Sequence, residues 1–186
     1  ARYREPGGVT ERIAAGVLIL AYLGVLGSFL VLLRLWRDNA WGLVALVSMI
    51  LVVKLSDAGA YFAGRMFGRH PMAPRLSPKK TIEGGLGGIA ASIAGSGLFC
   101  HFFIPWLIPD AAPIAVWRWA AYGGILAVTG MAGDLAESLV KRDMGQKDAG
   151  RVLPGMGGVL DVLDSLLFGA PVAYVCWLSG LMGPVP

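Results

Sequence analysis

Charge is scarce in this chain. Of its 186 residues only 15% are Asp, Glu, Lys or Arg, against about 25% in a typical soluble domain. Too little ionic surface remains to coat an ordinary soluble fold. Cysteine is scarcer still: Cys100 and Cys176 are the only two, and both sit in apolar stretches. That excludes a disulfide scaffold and a cysteine-based zinc site. Low-complexity tracts, internal repeats and the alternating pattern of a membrane β-barrel are also missing. What is abundant is apolar: 56% hydrophobic residues and 27 glycines, with a mean hydropathy of +0.66. Glycine and proline are commoner in transmembrane helices than in soluble ones. The composition therefore predicts an all-α, polytopic transmembrane helix bundle.

A helix needs about 20 apolar residues to cross the roughly 30 Å hydrocarbon core. Five stretches satisfy this: Ile13 to Leu33, Leu43 to Phe67, Gly85 to Ile108, Ile114 to Val140 and Val159 to Met182. The second carries a polar segment, Lys54-Leu55-Ser56-Asp57, within its length. Short connections point to a single membrane domain over residues 1–186. No cleavable signal peptide is visible, and a first residue of Ala1 reads as a processed chain or a piece of a longer one.

Lys and Arg counts set orientation. With five spans, twelve cations fall on the side of the N-terminus and the loops after spans two and four, among them Arg65, Arg69, Lys79, Lys80, Lys141 and Arg142. Three, Arg34, Arg37 and Arg118, fall on the other side. The bias predicts that the basic loops face the cytoplasm. The net charge of +4 is thus read as membrane topology, with no nucleic-acid partner.

Ionisable residues in membrane helices are costly and tend to face a bundle interior or a water-filled cavity. Here Lys54, Asp57, Glu83, Asp134, Glu137, Asp161 and Asp164 gather at the predicted cytoplasmic span ends. Asp134, Glu137, Ser138 and Lys141 follow i, i+3, i+4, i+7 spacing, and Asp161, Asp164 and Ser165 follow i, i+3, i+4. Two such stripes can converge on a hard divalent cation such as Mg²⁺. Spacing alone leaves a second reading open, in which the acids form structural ion pairs with Lys141, Arg142 or Lys54.

Between the stripes, a cation-dense loop from Lys141 to Arg151 leads into Pro154-Gly155-Met156-Gly157-Gly158. A glycine-rich turn entering a helix offers backbone N–H groups to phosphate. A second basic loop, Arg75 to Thr81, contains Ser77-Pro78, which reads as an N-cap with Pro at N1, so that the third helix starts under Lys79 and Lys80. Each loop alone also fits an anchor for lipid headgroups; acids, cations and glycine turns on one face fit a polyphosphate-plus-metal site. His101 reads as a packed or polar-bonded span residue and His70 as a solvated one. Trp106, Trp117 and Trp119 fit an interfacial aromatic belt, and Gly87-Gly88, Gly95 with Gly97, and Gly123-Gly124 fit close helix packing.

Ser138-Leu139-Val140-Lys141-Arg142, then Lys147-Asp148, Leu153-Pro154-Gly155, Gly157-Gly158, and Asp161 with Asp164, resemble the C-terminal signature of the phosphatidate cytidylyltransferase (CDP-diacylglycerol synthase) family. Asp57 to Arg65, Ser77 to Gly84 and Gly133 to Ser138 agree with it in the same order. The resemblance covers roughly residues 56–172, preceded by the N-terminal spans in 1–55. Two departures stand out: Met156, where the family usually has His, and Val162, where it usually has Arg. Family members are typically longer, with further N-terminal spans.

The resemblance implies a nucleotidyltransferase that uses Mg²⁺, CTP and phosphatidate to make CDP-diacylglycerol and pyrophosphate. It would sit in a bacterial inner membrane with its active site toward the cytoplasm, and a homodimer is compatible with it. It implies Asp134 and Asp161 as metal ligands, with Asp164 and Asp148 secondary and Asp57 weaker. Lys141, Arg142, Lys147 and Asp148 join Asp134 and Asp161 as catalytic residues. Ser77, Lys79, Lys80, Ser138, Gly157 and Gly158 would bind substrate. Three rival readings are a catalytically silent relative, a transporter or channel fragment, and a CDP-alcohol phosphotransferase. The last would need a closely spaced Asp cluster with an intervening Ala-Arg, which is absent.

Overall fold

The structure is a computed structural model describing residues 8–74, 76–143 and 159–183; the side chains of residues 11, 12, 15 and 159–162 lie outside that description. The long helices are α1 (Val9–Arg34), α2 (Asn39–Phe67), α3 (Ile82–Leu98), α5 (Val116–Asp143) and α6 (Val159–Leu178), with a single turn α4 (Ile104–Leu107). A π-helical turn, Phe99–Phe103, joins α3 to α4. It lies just before Pro105, which has no N–H to offer the carbonyl one turn back, so the regular ladder cannot run through. The stretches 16–34, 39–67 and 82–107 are long and apolar enough to cross a membrane, and α6 contributes a shorter apolar helix, Leu163–Leu178.

The chain is not wholly helical. Pro71–Ala73 (β1) and Ser77–Thr81 (β2) pair antiparallel, with Pro71 opposite Thr81 and Ala73 opposite Ser77. This corrects the reading of Ser77-Pro78 as a helix start. The cap of α3 is Thr81, whose Oγ1 accepts the Gly84 N–H at 3.1 Å. Ser77 to Lys80 are therefore extended. Pairing across the hairpin and the His70 carbonyl, which accepts the Ile82 N–H at 2.9 Å, outweigh a local capping signal. α2 begins conventionally, with Asp38 Oδ1 accepting the Trp41 N–H at 2.9 Å.

α3 packs between α2 and α5, and α6 packs on α5 and α1. Between lipid-solvated helices the hydrophobic effect gives little net drive, so close backbone approach matters more. Gly59, Gly87 and Gly88 supply it between α2 and α3. A Cβ on Gly88 would lie 2.9 Å from the Ser56 carbonyl oxygen, and one on Gly87 would collide with Ala63. Gly123 does the same for α5 on α3, where a Cβ would lie 2.8 Å from Ile93 Cα. The buried core includes Leu33, Val44, Met49, Val52, Tyr122 and Trp177. Ser48 and Tyr122 satisfy each other there through a 3.0 Å hydroxyl pair. By contrast, Ile13, Val17, Leu18 and Leu20 of α1 are exposed, as lipid contact requires. Trp106 and Trp117 are exposed too, and Trp119 packs over Gly97. His101, expected to be packed or polar-bonded, is exposed on the π turn with its ring edge-on to Phe102 at 4.8 Å.

Candidate active site

One cavity of about 720 Å³ opens where α2, the hairpin, α5 and α6 meet. α5 contributes Asp134, Glu137 and Lys141 to its wall, and α6 contributes Asp164 and Ser165. At 100° per residue, Glu137 and Lys141 lie about 60° and 20° to one side of Asp134 around the helix, whereas Ser138 and Arg142 lie about 40° and 80° to the other. That explains why Ser138, half-buried, does not line the cavity. Arg142 is exposed and turns its Nε toward the Leu76 carbonyl at 3.5 Å.

Oxygens of Asp134, Glu137 and Asp164 all lie within 4.8 Å of one another. Glu137 and Asp164 are each only 5% exposed. Glu137 Oε2 pairs with Lys141 Nζ at 2.8 Å, and Asp134 Oδ2 with Lys80 Nζ at 2.5 Å. Asp164 Oδ1 accepts the Ser165 N–H at 2.6 Å. Glu137 Oε1, in contrast, is buried with no hydrogen-bond donor among the described residues. Crowded carboxylates with an orphaned oxygen are the donor set a hard divalent cation takes, so these residues fit Mg²⁺.

Glu137 is the residue that sequence reasoning left out of the candidate ligands. The available signal was its place in the Asp134 stripe; what singles it out is burial, which spacing does not carry. Asp57 lies on the same wall and accepts from Lys54 Nζ and Ser165 Oγ, each at 3.1 Å, while Lys54 Nζ is also 3.3 Å from Ser165 Oγ. That small network ties α2 to α6 beside Asp164.

The hairpin brings Ser77, Lys79 and Lys80 to the cavity. It is moored from below by Glu83 on the first turn of α3. Glu83 Oε2 accepts the Arg69 and His70 N–H groups at 3.0 and 3.2 Å, and its Oε1 lies 2.5 Å from His70 Nδ1. His70 is thus exposed, as expected, yet engaged. Lys147, Asp148, Gly157, Gly158 and the Asp161 side chain lie outside the described residues, as does Met156.

Apolar helices around a cavity that combines clustered carboxylates with lysines define an integral membrane protein with an acidic and basic pocket among its helices. A family model described as the cytidylyltransferase family matches residues 4–179, and the chain belongs to that family. It is 36% identical over 174 residues to a phosphatidate cytidylyltransferase of Mycobacterium bovis, covering 94% of this chain and 52% of the relative. It is 42% identical over 156 residues to the Brucella suis protein of that name, covering 84% and 54%. The Staphylococcus saprophyticus protein of that name is 37% identical over 161 residues, with coverage of 86% and 56%. The chain thus spans about half the length of the curated relatives it matches.

Proposed function

We propose that this chain carries the catalytic part of a phosphatidate cytidylyltransferase, which transfers the cytidylyl group of CTP to phosphatidate and releases pyrophosphate. The observation that carries the proposal is the cluster of Asp134, Glu137 and Asp164, whose oxygens lie within 4.8 Å of one another, in the same cavity as Lys79 and as Lys80, which pairs with Asp134. The attacking atom is a phosphate oxygen of the lipid, and it displaces pyrophosphate from the α-phosphorus of CTP. That oxygen is anionic near neutral pH, so the reaction needs no strong protein base. The protein's task is to bring two anions together in line and to balance the charge that leaves.

Lys79 and Lys80 approach the triphosphate from the hairpin and Lys141 from α5. Asp134, Glu137 and Asp164 would hold Mg²⁺, with Asp161 as a further ligand by resemblance. When bound, the ion supplies positive charge to the phosphate oxygens. Five membrane spans with the basic loops in the cytoplasm of a bacterial cell complete the reading, supported by the Lys and Arg bias. It places the catalytic part in residues 56–172.

The test is a mixed-micelle assay with labelled CTP, phosphatidate and Mg²⁺. CDP-diacylglycerol should form only when all three are present, and Asp134→Asn should lower turnover by about 10²-fold or more while leaving membrane insertion intact. A full-rate Asp134→Asn protein, or no product from well-folded wild type, would overturn the reading.

A further inference from the structure

The cavity cations are not equivalent. Lys80 pairs with Asp134, and Lys141 with Glu137. Arg65 and Lys79 have no carboxylate partner among the described residues, yet both line the cavity. They stand on different elements, Lys79 on the hairpin and Arg65 on the last turns of α2. Two uncommitted cations at two places suit two separate anions.

Asp57, Tyr61 and Arg65 follow i, i+4, i+8 spacing and form the face of α2 that lines the cavity. One residue further round, Phe62 and Met66 are 61% and 70% exposed. They lie on a helix long and apolar enough to span a membrane, so that this exposed flank is open to acyl chains. Leu139 and Val140 beside Lys141 are exposed as well, but Lys141 pairs with Glu137; of the two cavity cations without a carboxylate partner among the described residues, Arg65 is the one beside such an apolar strip. Its Nη1 donates to the Tyr61 hydroxyl at 2.9 Å, which fixes the guanidinium at the cavity rim. The guanidinium has five donors in a planar fork that matches phosphate oxygens two at a time.

We infer that Arg65, steadied by Tyr61, is the binding subsite for the phosphomonoester headgroup of a lipid whose acyl chains lie along Phe62 and Met66, distinct from the hairpin lysines that take the nucleotide. This rests on the proposed cytidylyl transfer and assigns its second substrate a place. A soluble phosphate has no use for the apolar strip, and a nucleotide does not reach the cavity from the bilayer.

The experiment uses the full chain in phosphatidylcholine nanodiscs containing photoreactive phosphatidate, without CTP. Phosphatidate should label the protein and photoreactive diacylglycerol should not. Millimolar inorganic phosphate or glycerol 3-phosphate should fail to compete. Arg65→Gln should cut labelling about tenfold or more, with Arg65→Lys and Tyr61→Phe between it and wild type, as expected when a bidentate contact is lost or loosened. In turnover assays the same variants should raise KM for the surface fraction of phosphatidate and leave KM for CTP within about twofold. The subsite is refuted if Arg65→Gln labels like wild type, if soluble phosphate competes as well as the lipid, or if CTP affinity falls by the same factor as lipid affinity. Labelling that depends on Arg65 in a protein that makes no CDP-diacylglycerol would uphold the subsite and overturn the transfer reaction instead.

Discussion

Replacing Lys141 with Met tests whether the acid cluster is held together by charge. Lys141 Nζ sits 2.8 Å from Glu137 Oε2, and the two side chains are 18% and 4% exposed. Glu137 also faces Asp134 and Asp164, with carboxylate oxygens within 4.8 Å. At an effective dielectric constant near 20, two like charges at that separation repel by about 3–4 kcal/mol. Breaking a buried pair by removing one partner costs about 3–5 kcal/mol, since it strands the other charge. For a chain of this size that corresponds to a fall in melting temperature of roughly 6–20 °C.

The measurement is thermal unfolding in detergent, with divalent ions first chelated and then restored. Mg²⁺ at about 100 times its Kd adds about 2.7 kcal/mol to a state that binds it. The ion should therefore recover a good part of the loss, and it should stabilise Lys141→Met more than wild type. Adding Glu137→Gln to Lys141→Met should restore most of the stability even without metal, because the stranded charge is gone. The electrostatic account fails if the double variant is as unstable as the single one, or if Mg²⁺ stabilises wild type and variant alike.

Gly123→Ala should destabilise by about 1–3 kcal/mol through overpacking, because its Cβ meets Ile93 Cα and the Ser92 carbonyl at 2.8 Å. Gly124→Ala, whose Cβ finds only Ile93 Cδ1 at 4.0 Å, should melt like wild type in the same experiment. Equal melting of the two variants would refute the close α3–α5 contact. Glu83→Ala removes the acceptor that moors Arg69 and His70 to α3 without touching the acid cluster. It should raise KM for CTP while leaving Mn²⁺ affinity, measured by electron paramagnetic resonance without nucleotide, unchanged. Loss of Mn²⁺ binding in Glu83→Ala would show that the hairpin also shapes the metal site.

Long apolar runs made the stretches 16–34, 39–67 and 82–107 readable as spans, while α6 is a shorter apolar helix and α5, expected as a fourth span, is a helix that does not join the three long apolar ones. α1, expected over Ile13 to Leu33, extends over Val9–Arg34. α2 continues past Lys54 and Asp57, as expected; neither residue is a helix breaker, and the two pair with each other at 3.1 Å. The hairpin was not readable. Ser77-Pro78 carries a valid local capping signal, and what overrides it is non-local: the His70 carbonyl and the Glu83 carboxylate, which fold residues 69–83 back on themselves. Of the site, the acidic stripes were visible in spacing, but their convergence was one of two readings that spacing left open, and the structure is what brings Asp164 to Asp134 and Glu137. The side of the stripe that faces inward was not, because a difference of about 100° around a helix separates Glu137 from Ser138, and only packing against α6 decides between them.

The same packing argues that the cluster serves a ligand rather than the fold. A membrane bundle gains nothing in stability from gathering Asp134, Glu137 and Asp164, since isolated buried charges are costly and even well-paired ones often do no better than apolar substitutes. If the acids were only structural partners for the lysines, each buried carboxylate oxygen would be expected to find a donor. Instead Glu137 Oε1 has none among the described residues, while Lys79, with no carboxylate partner among them, stands on the same cavity wall. The proposed metal-bound polyphosphate would supply the cation that the buried Glu137 oxygen lacks and would bring an anion to Lys79, which is solvent-exposed on the same wall.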